Sequence, residues 1–376
     1  MRGTPGALEG IRVADFSRVL AGPIATMILG DLGADVIKIE RPGAGDDTRS
    51  WGPPWSPEGV SSYYLGANRN KRSIALDLKD PADAATARTL ALGSDVVIEN
   101  FRPGVMERAS LDHASLIDAR GDLVSCRIAG LGRGEVAGYD FLAQAMGGLM
   151  SITGDAGGEP RKVGVALVDV MAGLHAAIGI LAALRHRDRT GEGQLVEVDL
   201  LSTTLFSLAN QASNWLTAGV VPGKMGNRHP SIAPYETLPA ADGPFVIAVG
   251  NDAQFRAMCD VLGLPALADD ERFATNSARV TNRETLLDAF DATLMGAPAA
   301  HWVQRLGVAG IPCGMVNQVD QAFAVARELG LDAVVTVGGV DTVANPLLLS
   351  RTPATYRLAP PGLGEHTDEL RAELDP

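Results

Sequence analysis

Short apolar runs alternate with helical patterns through the first 130 residues, and this alternation constrains the fold more than any other feature. Strands that are separated by helices pair in parallel, and the helices then cover both faces of the sheet. We therefore predict an α/β protein. The predicted strands span residues 11–16, 35–40, 73–78, 95–99 and 123–128, and the predicted helices span 22–32, with Pro23 in the first turn, and 81–92, with Asp80 as N-cap.

The length of 376 residues exceeds that of one typical domain and predicts two lobes. Residues 160–220 are rich in helical patterns around a strand at 194–199. After a loop at 221–234, strands at 235–238 and 245–249 flank Ala241-Asp242-Gly243, which is a hairpin signal, and a helix follows at 251–262. We predict a large Rossmann-like domain at 1–200, a linker at 201–225, a smaller α/β domain at 226–325, and a C-terminal segment at 326–376 that returns to the large domain.

The formal net charge of −13 argues against a nucleic-acid partner, because such proteins need a basic face to neutralise phosphates. The cysteines, Cys126, Cys259 and Cys313, are odd in number and far apart, which predicts a reducing cytoplasm and no disulfide framework. The first residues lack the apolar run of a signal peptide, so we expect no leader. No Cys or His spacing matches a metal site, and no metal is predicted.

One stretch, residues 163–184, has the length and apolar character of a membrane span. It contains Asp169 and His175, which are unfavourable in lipid, and no second span exists. We predict a buried core segment and no membrane partner.

The first strand–helix turn, residues 15–23, lies where a dinucleotide fold carries G-x-G-x-x-G. Only Gly22 is near a fingerprint position, although Glu40 ends the second strand where a ribose-binding acid would lie. A nicotinamide oxidoreductase is therefore the weakest alternative.

Asp169 is the single acid in the apolar run 163–173. Burying a carboxylate is unfavourable unless something compensates its charge. In one interpretation Asp169 caps a helix over residues 170–185, whose free N–H groups keep it ionised. In the other, the same ionised carboxylate is a nucleophile toward a thioester. Spacing alone favours the cap.

Basic residues before residue 110 gather near predicted strand ends. They converge on phosphates in one interpretation and are solvated surface charges in the other. They are Lys38, Arg41, Arg69, Lys71, Arg72, Lys79, Arg102 and Arg108.

Several motifs extend over nearly the whole chain: D-F at 15–16 with A-G-P at 21–23, LGADVIKIERPG at 32–43, NKRS at 70–73, ENFRPG at 99–104, TGEGQ at 190–194 and LGEHT at 363–367. Together they resemble the family III CoA-transferases, which include formyl-CoA transferase and carnitine CoA-transferase, and their relatives the α-methylacyl-CoA racemases. The resemblance implies a Rossmann-like large domain, a small α/β domain, and a homodimer of two interlocked rings.

The resemblance also implies the site. Asp169 follows the V-G-x-A-L motif and would be the nucleophile that forms mixed-anhydride and aspartyl-CoA intermediates, with Tyr139 and Asp140 beside it. Acyl-CoA and a small carboxylic acid would be the substrates, and no tightly bound cofactor is implied. The implied CoA contacts are Leu20, Ala21, Arg41, Leu76, Lys79, Asn100, Phe101, Arg102, Arg108 and Gly138.

The segment Gly138-Tyr139-Asp140 separates transferase from racemase. The racemases carry His at the position of Tyr139, and a tyrosine, with an ordinary pKa of about 10, is a poor proton carrier at neutral pH. This favours a CoA-transferase over a racemase, and the presence of Asp169 argues against a catalytically silent CoA-binding subunit. The glycine tetrad of formyl-CoA transferase is missing, and residues 226–235 occupy that neighbourhood. We therefore expect succinyl-CoA and dicarboxylic acids rather than formyl-CoA and oxalate, with specificity set by residues 226–235 and by the partner chain.

Overall fold

The structure is a computed structural model that describes residues 6–132, 136 and 138–374. The chain divides into two compact units. The large unit comprises Met1–Leu149, Lys162–Val220 and Gly330–Pro376, and the small unit comprises Met150–Arg161 and Val221–Leu329. The segment Met150–Arg161, which the sequence patterns did not separate from the large domain, thus belongs to the small unit. Most of the stretch that we expected to be a linker is helical and belongs to the large unit.

A six-stranded parallel sheet forms the centre of the large unit. Its strands are β1 (Arg12–Asp15), β2 (Asp35–Glu40), β3 (Lys71–Ala75), β4 (Val96–Glu99), β5 (Val124–Ala129) and β6 (Gln194–Asp199), in the spatial order β3-β2-β1-β4-β5-β6. The mixed α/β class and the parallel sheet are as predicted. β3 begins two residues and ends three residues earlier than expected, and its first residue, Lys71, has its ammonium buried against Asp15.

Helices connect these strands. In the large unit they are α1 (Ala21–Asp31), α2 (Ser62–Leu65), α3 (Pro81–Leu92), α4 (Val105–Arg108), α5 (His113–Ala119), α6 (Asp140–Met146), α7 (Leu149–Ile152, which ends in the small unit), α8 (Leu167–Thr190), α9 (Leu200–Ser207) and α10 (Asn210–Ala218), with a short 3-10 helix at Asp47–Ser50. Asp80 caps α3 as expected, since its side chain accepts from the N–H groups of Ala82 and Asp83.

The core of the large unit lies on both faces of the sheet, because successive residues of a strand point to opposite faces. Val13 of β1 packs in a cluster with α1 and α8, whereas its neighbour Ala14 packs with α3 and α5 on the other face.

α8 is, within the described residues, the one helix whose length and apolar composition would allow it to cross a bilayer. Its buried face, which includes Ala172, Ala176 and Ile180, packs in the core beside α1. It is therefore a core helix of the large unit in this structure.

The small unit contains a three-stranded antiparallel sheet, in the order β7 (Tyr235–Leu238), β8 (Phe245–Ala248) and β9 (Cys313–Met315). The expected hairpin is present, with Tyr235 paired to Ala248. Its helices are α11 (Asp252–Leu262), α12 (Ala266–Asp269), α13 (Asn276–Thr281), α14 (Arg283–Leu294), α15 (Ala299–Val308) and α16 (Val319–Glu328).

The C-terminal segment of the large unit forms a hairpin, β10 (Val334–Val337) and β11 (Val340–Val343), and ends in α17 (Thr367–Leu374). His366 donates its backbone N–H to the carbonyl of Ser73 at 2.9 Å, and Arg72 pairs with Glu369 and Glu373. These contacts hold the end of the chain against β3.

Candidate active site

An open cleft of about 1030 Å³ lies at the carboxyl edge of the sheet in the large unit. The strand order reverses between β1 and β4, and open α/β sheets bind ligands outside such a reversal. The turns that follow β1, β4 and β5 all contribute to the cleft wall. The cleft is lined by Arg18, Val19, Leu20, Ala21, Asp47, Asn100, Phe101, Arg102, Pro103, Arg127, Ile128, Ala129, Gly130, Val136, Gly138, Tyr139, Asp169 and Leu200.

Eight of the residues singled out from the sequence lie in this lining, and the fold brings them together from four separate segments. They are Leu20, Ala21, Asn100, Phe101, Arg102, Gly138, Tyr139 and Asp169. Residues 20 and 169 are far apart in the sequence, and they line the same cleft because α1 packs against α8.

Four predicted CoA contacts do not line the cleft. Leu76 is 1% exposed and packs in the core. Arg41 is exposed and pairs with Asp47 at 2.8 Å, whereas Arg108 lines a separate depression beside Arg88. Lys79 is exposed on the loop after β3. Their contacts with CoA stay predictions.

Two of the turns at the cleft are locked to each other. The backbone N–H of Arg18 donates to Asn100 Oδ1 at 2.9 Å, and Asn100 Nδ2 donates back to the carbonyl of Arg18 at 2.7 Å. The Glu99 carboxylate accepts from the N–H of Phe101 at 2.7 Å. Burial raises the pKa of Glu99 to about 7 in spite of that bond. The two bonds between Asn100 and the backbone of Arg18 therefore fix the spacing between the β1 and β4 turns.

Asp169 lies in the first turn of α8 and faces the cleft. The prediction that its side chain caps this helix is wrong. The helix begins at Leu167, and Asp140 supplies the cap, since its Oδ1 accepts from the N–H of Val168 at 2.8 Å and from that of Asp169 at 3.4 Å. Asp140 is itself fixed by Gln144 Nε2 at 2.6 Å. Asp140 therefore acts on the site through the backbone of α8 and its own charge.

Among the described residues, none donates a hydrogen bond to the carboxylate of Asp169. Burial, together with the negative charge of Asp140, raises its pKa to about 7. The expectation that a cap keeps this carboxylate ionised is thus also wrong. Asp169 is a buried, poorly solvated acid, and such carboxyls cluster at functional sites.

Sequence reasoning missed Tyr63, which no motif marks. Burial raises the pKa of its phenol to about 12, and the charges of Asp169 and Asp140 contribute to that increase, so Tyr63 lies near the same pair of acids. Its ring packs edge-on against Trp51 at 5.2 Å. Tyr139, by contrast, is 63% exposed at the cleft.

Three arginines, Arg18, Arg102 and Arg127, give the cleft a local positive charge in a chain with an overall excess of acids. Sequence reasoning also missed Arg18 and Arg127 as cleft residues. Each is at or just beyond the carboxyl end of a predicted strand, and that position was the signal that could have found them. Arg18 pairs with Asp47 at 3.0 Å and lies over the Phe101 ring, while its Nε is buried without a hydrogen-bond partner in the described structure. The cleft is suited to an anionic ligand.

No histidine lines the cleft among the described residues, so the position that a racemase would use for proton transfer offers only the phenol of Tyr139. The described residues also contain no group of three His, Cys, Asp or Glu that could hold a metal ion. The chemistry that the cleft offers is therefore that of a carboxylate beside an anion-binding surface.

Comparison with known proteins agrees with this geometry. The family model described as CoA-transferase family III matches residues 8–367. The succinate–glutarate CoA-transferase of Agrobacterium fabrum is 43% identical over 98% of this chain and 96% of its own length, and the acetyl-CoA:oxalate CoA-transferase of Acetobacter aceti is 40% identical over 98% and 96%. The crystal structure of a CAIB/BAIF family protein from Brucella suis superposes with a TM-score of 0.89 at 42% identity, covering 99% of this chain and all of that one.

Proposed function

Because the chain belongs to CoA-transferase family III and is a CoA-transferase, we propose that its cleft binds an acyl-CoA and that Asp169 is the nucleophile that relays CoA between two carboxylic acids. The observation that carries the proposal is a buried carboxylate without a hydrogen-bond donor, facing a cleft lined by three arginines. An ionised carboxylate that is poorly solvated is a strong nucleophile, since attack relieves its unfavourable burial.

The first half of the reaction transfers CoA to the enzyme. A carboxylate oxygen of Asp169 attacks the carbonyl carbon of the acyl-CoA, the C–S bond breaks, and CoA leaves as a thiolate that stays in the cleft. The thiolate then attacks the carbonyl carbon of Asp169 in the resulting mixed anhydride. The bond to the donor acid breaks, the acid departs as a carboxylate, and an aspartyl-CoA thioester remains.

The second half reverses these steps with the acceptor acid. The acceptor carboxylate attacks the aspartyl carbonyl carbon and displaces the thiolate, which forms a second mixed anhydride. Attack of the thiolate on the acceptor carbon releases the new acyl-CoA and regenerates the Asp169 carboxylate. No proton, electron or water is consumed, so the reaction needs no tightly bound cofactor.

The placement of CoA follows from charge and topology. In the observed strand order the β1 and β4 turns lie where open parallel sheets usually bind ligands, and Arg18, Arg102 and Arg127 supply the cations that a polyanionic substrate needs. Phe101 offers an aromatic face at the same turn. We propose that CoA lies along these residues with its sulfur toward Asp169.

We propose succinyl-CoA as donor and a dicarboxylate such as glutarate as acceptor, because the relative from Agrobacterium fabrum acts on succinate and glutarate. The alternative pair is acetyl-CoA and oxalate, for which the Acetobacter aceti relative is named. A panel of these donors and acceptors separates them by kcat/KM. The highest value for succinyl-CoA with glutarate is the expected result, and preference for acetyl-CoA with oxalate would contradict it.

We further propose a homodimer, interlocked as the family resemblance implies. Large apolar side chains of α8, α9 and α10 are exposed in one chain: Leu174, Ile178, Phe206, Trp215 and Leu216. Phe206 and Leu216 are 75% and 77% exposed, and apolar patches of this kind mark protein interfaces. Light scattering after size exclusion tests this: Leu216→Glu should lower the dimer fraction, and Val308→Glu in the small unit should not.

Two alternatives make different predictions. A racemase would incorporate deuterium at the α-carbon of an acyl-CoA without exchanging acids, but Tyr139 replaces its histidine. A silent CoA-binding subunit would bind CoA without forming a covalent intermediate. The free cysteines also support our proposal of a cytoplasmic location.

Trapping of the intermediate tests the mechanism. The enzyme is incubated with succinyl-CoA, treated with hydroxylamine or borohydride, and digested for mass spectrometry. We expect Asp169 to carry the hydroxamate or to be reduced to the alcohol, and Asp169→Ala to lose both the label and at least about a thousandfold of the rate. Asp47→Asn, which changes another carboxylate of the cleft, should still label at Asp169. An unlabelled Asp169, with activity retained in Asp169→Ala, would refute the mechanism.

A further inference from the structure

The turn between β1 and α1 contains a strained residue. Val19 has a φ of +69°, in the left-handed region that glycine favours and that β-branched residues almost never adopt. The residue lines the cleft with its neighbours Arg18, Leu20 and Ala21. Strained backbone at a binding surface persists only where surrounding contacts hold it, so those contacts are informative.

One buried ion pair holds both ends of this turn. The N–H of Val19 donates to the two carboxylate oxygens of Asp46 at 3.2 and 3.3 Å. Lys38 Nζ donates to Asp46 Oδ2 at 2.9 Å and to the carbonyl oxygen of Ser17, also at 2.9 Å. The ammonium and the carboxylate thus fix the backbone on each side of residue 18.

The side chains of Lys38 and Asp46 have no exposure to solvent. Burial opposes their charges, but Asp46 together with Asp15 raises the pKa of Lys38, and Lys38 with the Thr48 amide lowers the pKa of Asp46, so both are ionised. A buried ion pair contributes little stability compared with apolar side chains of the same volume. Its contacts with both sides of residue 18, which lines the cleft, point to a role in positioning the turn.

We propose that Lys38 and Asp46 are positioning residues for the acyl-CoA site: their ion pair holds Val19 in its strained conformation and so presents the Arg18–Ala21 turn to CoA before CoA arrives. The inference rests on the proposed placement of CoA in this cleft. Neither side chain lines the cleft, so they act through the backbone of the turn. A turn that is already ordered lowers the entropy lost on binding.

The opposite side of the turn shows why the ion pair is needed. Asn100 fixes the N–H and the carbonyl of Arg18, but among the described residues only Asp46 accepts from the N–H of Val19. Without Asp46 the valine can relax to a negative φ, which would move Leu20 and Ala21 away from their positions in the cleft wall.

A set of paired variants tests the proposal. Asp46→Asn is made in the wild-type protein and in the Val19→Gly and Val19→Ala backgrounds, and KM for acyl-CoA and kcat are measured for each. Glycine removes the strain, whereas alanine removes the same side-chain contacts but keeps an L residue at positive φ. Asp46→Asn replaces the charged acceptor of Val19 by a neutral amide and leaves Lys38 without its partner, so we expect it to raise KM by roughly tenfold or more in the valine and alanine backgrounds, with kcat little changed. In the glycine background the increase should be only a few-fold.

Asp31→Asn is the matched control, because Asp31 is equally buried and pairs with Arg69 at 2.6 Å at the other end of α1. It should lower thermal stability and leave KM unchanged. An equal effect of Asp46→Asn in all three backgrounds, or an effect on KM no larger than that of Asp31→Asn, overturns the proposal.

If Asp46→Asn alone does not fold, thermal unfolding replaces kinetics. Val19→Gly should then restore a folded protein and Val19→Ala should not, and restoration by both or by neither overturns the inference. Whether CoA binds in this cleft at all is tested separately, by calorimetry of CoA binding to the wild-type, Phe101→Ala and Arg102→Ala proteins. Unchanged affinity in both variants would put CoA elsewhere, whatever Asp46 does.

Discussion

Two sets of buried acids lie at the carboxyl edge of the sheet, and their surroundings shift the pKa in opposite directions. Beneath the first turn, Asp15 accepts from the N–H and the hydroxyl of Ser17, from Thr26 Oγ1 at 2.6 Å, and from Lys71 Nζ at 3.2 Å. At the start of α8, Asp169 accepts from no described donor. Burial opposes ionisation in both places, yet the charges of Lys71 and Lys38 lower the pKa of Asp15, whereas Asp140 adds to the increase at Asp169.

The contrast shows that burial by itself does not decide what a carboxylate does. The acid with cations and hydroxyl donors is a fixed structural charge that holds the turn. The acid beside another acid, with no donor, is held in an unfavourable state, which is the state that a nucleophile needs. The comparison gives four predictions.

The largest effect on stability is expected at Asp15. Asp15→Asn leaves the buried ammonium of Lys71 without its charged partner, and breaking a buried pair in this way costs about 3–5 kcal/mol. Chemical denaturation at pH 7 measures the loss. The control is Asp47→Asn, whose pairs with Arg18 and Arg41 are partly exposed and should contribute less than about 1 kcal/mol. Equal losses in the two variants would contradict the structural role of Asp15.

Asp169→Asn should have the opposite sign and stabilise the protein at high pH. The pKa of Asp169 is about 7 in the folded state and 3.8 in its ordinary state, so the acid is tolerated without penalty below about pH 4, and the penalty grows between about pH 4 and pH 7 and stays constant above that. The neutral amide avoids it, and the gain should approach about 4 kcal/mol at pH 8 and vanish near pH 4. Unfolding free energies of both proteins across this range check the sign. A variant that is less stable than wild type at pH 8 would be incompatible with a buried, unpaired carboxylate.

The rate of CoA transfer should increase with pH through about 7, since only the ionised form of Asp169 attacks. Between pH 8 and pH 5 the fall in kcat/KM should reach about a hundredfold, tenfold for each pH unit below the pKa. Initial rates with succinyl-CoA in buffers of constant ionic strength give the profile. A flat profile would mean that Asp169 is ionised throughout and that the substrate or the partner chain supplies a charge that this chain lacks.

The smallest effect is expected for Asp140→Asn. Removal of this charge should lower the pKa of Asp169 and move the midpoint of the rate profile down by roughly half to one pH unit, while the amide oxygen can still accept from the N–H of Val168. The pH profile of the variant measures this shift. The matched control is Asp199→Asn, which changes the cap of α9 and should leave the midpoint where it is. If the midpoint does not move in Asp140→Asn, the charge of Asp140 does not contribute to the raised pKa of Asp169.

Much of the fold could be read from the sequence because apolar runs and helix caps are local signals. β2, β6 and α3 begin and end where their patterns predict, and Asp80 caps α3. The site was predictable in part for the same reason, since Asn100, Phe101 and Arg102 directly follow an apolar strand. Tyr63 and Asp46 were not predictable in this way, because the first has no surrounding motif and the second acts only through its contacts with Val19 and Lys38.

The sequence by itself determined the parallel α/β sheet, the family to which the chain belongs, and the position of an acid inside an apolar helix. Only the tertiary structure decided the state of that acid. A residue 29 positions earlier in the chain, Asp140, takes the N–H groups that Asp169 was expected to bind. The proton affinity of a carboxylate depends on the charges and donors around it in space, and residues distant in sequence bring those charges together.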